Sequence, residues 1–184
     1  MEGDYGKTDY NNKWNWCSGK DTFVEFCSKY GSIMNFSSID KVKEIATLIG
    51  WDGKKTEKDR RFLSDLKKLT TDYNDFSFNS IKEAVSKFEI SDSDILFIHI
   101  REPEEIERAA NTFSAKTLLV KRAGLANITT NYSDANVDNY SYDYIVENTT
   151  LEELDKSASN FVKLISSCEK DEVKCLLNNN VIKY

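Results

Sequence analysis

The chain has 184 residues, about 40% of them hydrophobic and 30% charged, with one proline and a net charge of −6. This profile fits one globular domain long enough to bury a core and excludes a disordered chain. The acidic balance argues against a partner that is a nucleic-acid polymer, since such binders usually present a basic face.

Cys17, Cys27, Cys168 and Cys175 form no C-x-x-C pair, and the one histidine, His99, lies in an apolar run, so metal-site spacing is absent. With no apolar leading stretch, neither a signal peptide nor a membrane span is expected, and a reduced, cytoplasmic protein is the simplest expectation.

Residues 1–16 (MEGDYGKTDYNNKWNW) are polar and without period, an atypical or poorly ordered segment with at best a weak strand at 13–17. Phe23, Val24, Phe26 and Cys27 suit one face of a helix over 21–30, which Gly31 would stop. A short strand is expected over 32–37 and a helix over 39–49. Gly50 and Gly53 bracket a turn at Trp51. Thr56 suits the N-cap of a helix whose buried stripe is Phe62, Leu63, Leu66 and Leu69. Another helix is expected over 80–88, starting near Phe78.

The run Asp94–Ile100 (DILFIHI) reads as a strand buried on both faces. Pro103 opens a helix to Phe113, with acids where the helix dipole favours them. Strands are expected at 117–120 and 142–146, separated by a polar loop over 123–141. Thr150 caps a helix carrying Leu151, Leu154, Ala158, Phe161 and Val162, and 168–184 is expected to be a final short helix or tail. Alternation of strands and helices predicts an α/β fold: a mainly parallel sheet with helices on both faces, spanning 17–167, with ligands at the carboxyl ends of the strands.

Ser18-Gly19-Lys20-Asp21-Thr22 stands before the first helix. A glycine there lets backbone N–H groups face a phosphate, the helix N-terminus adds positive potential, and Lys20 would reach terminal phosphates. The Walker pattern puts its first glycine where this chain has Trp14, and has Ser or Thr where Asp21 stands. The plain alternative is a polar turn into a helix.

Lys43, Arg60, Arg61, Arg101 and Arg122 supply cations near strand ends or on cleft helices, and guanidinium forks suit phosphate oxygens. Arg101 and Arg122 each follow a buried strand directly. Asp40 could orient an acceptor, or act simply as a helix N-terminal acid. Asp21, with Thr22, could hold Mg²⁺, partly through water. His99, Trp14, Trp16 and Trp51 are expected to be packing residues.

SGKDTFVEF resembles the second half of the P-loop in phage-type deoxynucleoside monophosphate kinases and phosphomevalonate kinases. NFSSIDKVKEIA, TEKDRRFLSDLKKL, ILFIHIREPEEIE, TLLVKRAG and YDYIVENTTLEEL are similar, in the same order, to later segments of that P-loop nucleotide and small-molecule kinase superfamily. The likeness spans roughly residues 17–165. His99 stands where the family often has aspartate, and no convincing apolar strand precedes the loop; such a strand would be the centre of the sheet.

The resemblance implies a three-layer P-loop NTPase-type fold. ATP and Mg²⁺ would be held at Ser18–Thr22, with Asn148 near the base. Lys20, Asp40, Arg61, Arg101 and Arg122 would serve phosphoryl transfer to a small acceptor, most simply a (deoxy)nucleoside monophosphate. A catalytically inactive, degenerate P-loop module that binds a nucleotide or a protein stays open beside the enzyme, as does a homodimer.

Overall fold

The computed structural model describes residues 19–123 and 140–167, together with the backbone of 175–178. Its helices are α1 (Lys20–Cys27), α2 (Asp40–Leu48), α3 (Glu57–Asn74), α4 (Phe76–Glu89), α5 (Pro103–Phe113) and α6 (Leu151–Ser167). Its strands are β1 (Ile33–Ser37), β2 (Ile95–His99), β3 (Lys116–Arg122), β4 (Tyr144–Asn148) and β5 (Cys175–Asn178). The expected weak strand at 13–17 and most of the polar loop over 123–141 lie outside the described residues.

All five strands pair in parallel, in the order β1-β2-β5-β3-β4. The expected final helix is therefore corrected at 175–178: this segment is a strand, and it lies at the centre of the sheet. On one side Leu96 to His99 pair with Cys175 to Asn178; on the other, Lys116 to Leu118 pair with Leu176 to Asn178.

Side chains alternate across a strand, so neighbouring apolar residues of β2 serve opposite faces. Ile95 and Phe97 join Leu118, Val120 and Val146 in a cluster closed by α1 (Phe23, Val24, Cys27) and α6 (Leu154, Ala158, Phe161, Val162, Ile165). Leu96, Ile98 and Ile100 join the other cluster, with Phe78, Ile81, Val85 and Phe88 of α4 and Ile106 and Ala109 of α5. The continuous apolar run in β2 is what this two-faced burial requires.

Several helix ends follow from local chemistry. Thr56 and Asp59 form a reciprocal capping box at α3. Pro103 occupies the first turn of α5, followed by Glu104 and Glu105.

Other expectations are revised. Helix α3 has no fully buried residue; Phe62, Leu63 and Leu66 are half-buried and Leu69 is 67% exposed, because α3 packs over other helices and not on the sheet. Helix α4 begins at Phe76, two residues before the start expected near Phe78. Gly31 is not in the left-handed region; a Cβ there would lie 3.0 Å from Cγ1 of Val162, so it permits close approach of α6 instead of ending α1.

Among the described residues no helix is long and apolar enough to cross a membrane.

Phe161 is fully buried and its ring meets those of Phe23, Phe97 and Tyr144, joining α1, α6, β2 and β4. Phe161→Ala is expected to cost about 3–5 kcal/mol in urea unfolding, the usual range for a buried phenylalanine. Leu69→Ala in the same assay should stay within about 0.5 kcal/mol. Equal losses at both positions would refute this assignment of the core.

Candidate functional site

Helix α1 runs down one face of the sheet and β1 runs back up, so Gly19 and Lys20 stand at the carboxyl edge of the strands. Gly19 is the N-cap of α1 and is left-handed, at φ 87° and ψ 3°, a conformation glycine adopts without steric cost. No side chain caps the first turn, so its N–H groups are not taken by a cap. Lys20 Nζ lies 2.7 Å from Asp21 Oδ1.

The end of β2 supplies the facing wall. His99 Nε2 is 2.6 Å from Asn35 Oδ1 on β1. With the amide oxygen accepting, Nε2 carries the proton and Nδ1 is left with its lone pair. Nδ1 is buried and has no hydrogen-bond partner. The backbone of the same residue is clamped by buried Ser38, whose N–H and hydroxyl both donate to the His99 carbonyl at 3.3 Å.

Burial, then the Lys20 charge, pushes the His99 imidazole down to about 4; Asp21 and Asp40 oppose that shift and Arg101 adds to it. For Asp21, desolvation raises the carboxyl, but the Lys20 charge and hydrogen bond, with His99 and Arg101, outweigh it and hold the carboxyl below its ordinary value. Lys20, Asp21, Asp40, His99 and Arg101 thus share one electrostatic neighbourhood. Four of the five were expected at a site; His99 was expected to be a satisfied core residue, and its unpaired Nδ1 corrects that.

The remaining candidates are dispersed. Asp40 is bonded to Lys43 at 2.7 Å within α2. Arg122 ends β3 beside its register partner Asn148, across β5 from β2 and Arg101. Arg61 projects from α3 with its side chain 85% exposed, its described ion pair being with Asp65 at 3.9 Å on the same helix. Arg60 is exposed on that helix as well. Trp51 donates from Nε1 to the Lys54 carbonyl within its own turn, as a packing residue would. Thr22 lies in the first turn of α1, and Ser18, Trp14 and Trp16 lie outside the described residues.

Asn148 is 2% exposed; its Nδ2 donates to the Lys121 carbonyl at 2.9 Å, and its Oδ1 is buried with no partner. His99 and Asn148 therefore both end strands with an unsatisfied acceptor at the same sheet edge. Native structures keep few such atoms, and those that persist call for a function or a bound partner.

The sequence reading missed Asn35 and Ser38, although a lone asparagine inside the SIMNFS strand was a visible signal. It also missed Lys67, which bonds Glu102 at 2.8 Å and Glu105 at 2.9 Å and so ties α3 to the start of α5, next to Arg101.

Phosphate groups suit this edge: a left-handed glycine opening a helix, a lysine in the first turn and an arginine nearby are the donors that phosphate oxygens accept from. A protein-only metal cage is not present among the described residues, where no three His, Cys, Asp or Glu side chains are grouped to hold an ion. Asp21, ion-paired with Lys20, and Thr22 are the oxygen-bearing side chains in the first turn of α1.

A separate groove of about 380 Å³ lies between the end of α5 and the start of β3, lined by Ala110, Ser114, Lys116, Thr117, Tyr140 and Asp143 among others. It sits at the amino edge of the sheet, and its Asp143 carboxylate already accepts from the Thr117 N–H and hydroxyl at 2.8 Å. The chemistry gathers at the other edge.

No family model matches the chain, and no curated protein or solved structure matches it.

The single histidine makes its titration directly readable. Its imidazole proton resonances are expected to stay those of the neutral ring until pH approaches 4. The unfolded chain binds the proton near pH 6.5 and the folded one refuses it, so stability should fall as pH drops from 6.5 towards 4. That loss is on the order of 3 kcal/mol, and absent from His99→Gln. A midpoint near 6.5 in the folded protein would overturn this account.

Proposed function

We propose that this chain is a nucleotide-phosphate-binding domain of the three-layer P-loop kinase type, which transfers the γ-phosphoryl group of ATP to a small acceptor. The observation that carries the reading is the position of Lys20: first residue of a helix opened by left-handed Gly19, at the carboxyl edge of a parallel sheet, sharing its electrostatic neighbourhood with Arg101. The strand order adds support. The likeness to P-loop kinases calls for a central strand, and β5 fills that position although no convincing strand precedes Gly19 in the sequence.

In this reading the α1 amides and Lys20 bind the donor phosphates, Asp21 and Thr22 face the hydrated Mg²⁺, and Arg101 with Arg122 bind acceptor phosphate or transition-state charge. Bound Mg²⁺ supplies charge neutralisation at the β- and γ-phosphates. An acceptor oxygen bonds to the γ-phosphorus as the bond to the β–γ bridging oxygen breaks, leaving ADP; phosphoryl transfer of this kind rests on positioning and charge. Asp40 orients the acceptor, most simply a (deoxy)nucleoside monophosphate. Arg61 has no part unless α3 moves. The setting proposed is the reducing cytoplasm, in keeping with Cys27, a free and buried thiol that burial pushes up and keeps protonated.

A binding module without catalysis is the second reading. It is favoured by the Lys20–Asp21 ion pair, which offsets part of the lysine's charge.

Calorimetric titration of Mg²⁺-ATP into the wild type and Lys20→Ala tests the proposal. Loss of one charge-assisted contact is expected to weaken binding about ten- to a hundredfold, from roughly 1.5–3 kcal/mol. Turnover in an acceptor screen would then separate enzyme from module. A folded wild type that binds no Mg²⁺-ATP, or a mutant that binds as tightly, would sink the nucleotide reading.

A further inference from the structure

The nucleotide reading gives His99 no task, although the residue is held from two directions at the carboxyl edge. On β2 it continues the face that carries Ile95 and Phe97, and on β1 Asn35 continues the face of Ile33, so the pair stands on the side of the sheet covered by α1. Nε2 donates to Asn35 Oδ1 at 2.6 Å, and the His99 carbonyl accepts from the Ser38 N–H and hydroxyl. Strand β1 is an edge strand and Asn35 is exposed, so the ring is approached from solvent at this edge.

With its one proton committed to Asn35, the neutral ring offers only the Nδ1 lone pair, and that atom has no partner. A lone pair cannot hold a phosphate oxygen, which is itself an acceptor; it needs a group that carries a proton. At neutral pH a phosphate monoester has mostly lost its second proton, with a pKa of about 6. An amine is protonated there and has no lone pair with which to attack. An alcohol hydroxyl is neutral, keeps a proton for Nδ1 and keeps lone pairs for phosphorus. Two of the cations expected around an acceptor's phosphate stand elsewhere: Lys43 is bonded to Asp40, and Arg61 projects from α3 with its side chain 85% exposed. His99 is also a point at which the chain departs from the kinase likeness, standing where aspartate is frequent.

From this we infer that the group phosphorylated at this site is an alcohol hydroxyl, and that His99 is a catalytic residue that accepts the hydroxyl proton at Nδ1. The inference rests on the nucleotide reading and replaces phosphate as the reacting group of the acceptor. The hydroxyl oxygen bonds to the γ-phosphorus as the bond to the β–γ bridging oxygen breaks, and that electron pair stays on ADP. The proton passes to Nδ1 and from there to water. In a loose transition state the proton leaves late, once the oxygen has bonded to phosphorus and grown acidic, so a weak base suffices. A ring that burial holds down to about 4 then releases the proton, and its neutral form is restored. Asn35 is the positioning residue, keeping the other ring nitrogen protonated.

Calorimetry with Mg²⁺-ATP comes first, on the full-length wild type and on His99→Phe, which keeps a ring and removes both nitrogens. A folded wild type that binds none sinks the nucleotide reading itself, and this inference with it. The γ-phosphoryl group is then followed by ³¹P NMR with water as the only acceptor, with glycerol or a nucleoside added, and with a nucleoside monophosphate added. The spectrum separates a phosphate ester from a phosphoanhydride.

The expected products are inorganic phosphate, formed slowly from water, and phosphate esters from the alcohols, with no diphosphate made from the monophosphate. In His99→Phe the rate should fall about a hundredfold or more, while Mg²⁺-ATP affinity stays within about threefold. Should that variant fold poorly, Asn35→Leu on the exposed edge replaces it: ¹⁵N NMR of the single histidine should show the proton shared with Nδ1, and transfer should fall with it. Diphosphate as the main product would overturn the inference and leave the nucleotide reading standing. So would bound ATP left intact under every condition, or a rate unchanged in His99→Phe or in an Asn35→Leu protein whose tautomer has shifted.

Discussion

The sheet depends on filling one position. Helix α5 carries the chain from β2 to β3 across a single strand-wide gap, and both edges of that gap present backbone donors and acceptors inside the apolar core. Buried backbone groups are paired almost without exception, so a strand must enter. Because β5 supplies it, α6 must return along the face that α1 also occupies, and the two helices pack together through Phe23, Ala158, Phe161 and Val162. That packing fixes α1, and with it the edge at which Gly19 and Lys20 stand. The position of the candidate site is thus a consequence of how the sheet is completed.

At that edge the chain accepts local costs. His99 is kept neutral by burial and by neighbouring cations, and one of its ring nitrogens goes unpaired; Asn148 leaves an amide oxygen unpaired at the end of β4. A folding optimum would fill such positions with apolar residues or partners. Both atoms end strands at the edge where parallel sheets bind ligands, which is where departures from local consistency are expected to be functional. The Lys67 bridge has the opposite character. Glu102 and Glu105 are close enough to repel; burial pushes Glu105 up, whereas for Glu102 the Lys67 ammonium outweighs burial and holds the carboxyl below its ordinary value, and Lys67 between them holds the start of α5 against α3. It stiffens the support behind Arg101 without entering the cleft.

Much of this was legible in the residues. DILFIHI announces a strand buried on two faces because nearly every position is apolar, and the capping chemistry at Thr56 and Pro103 fixes two helix starts within a residue. Leu69 was misread because helical spacing reports a stripe but not whether the sheet or only other helices will cover it. The Cys175–Asn178 strand was illegible: CLLN sits before a polar asparagine run, too short to show a period, and acquires its conformation only from the two edges it joins. His99 looked like core because its neighbours Ile98 and Ile100 are core; what distinguishes it is the contact with Asn35, which lies on another strand.

Completing a sheet with its last described strand also orders the events of folding. Pairings of β5 with β2 and β3 join residues far apart in the chain, and such contacts form late because loop closure must precede the stabilisation they bring. Until then β2 and β3 lack their shared neighbour, and the register that sets His99 beside Asn178 is undefined. The carboxyl edge therefore becomes a site only when the sheet is closed. A ligand that binds only the closed form stabilises the seated strand by linkage, by RT ln(1 + L/Kd) at free ligand concentration L.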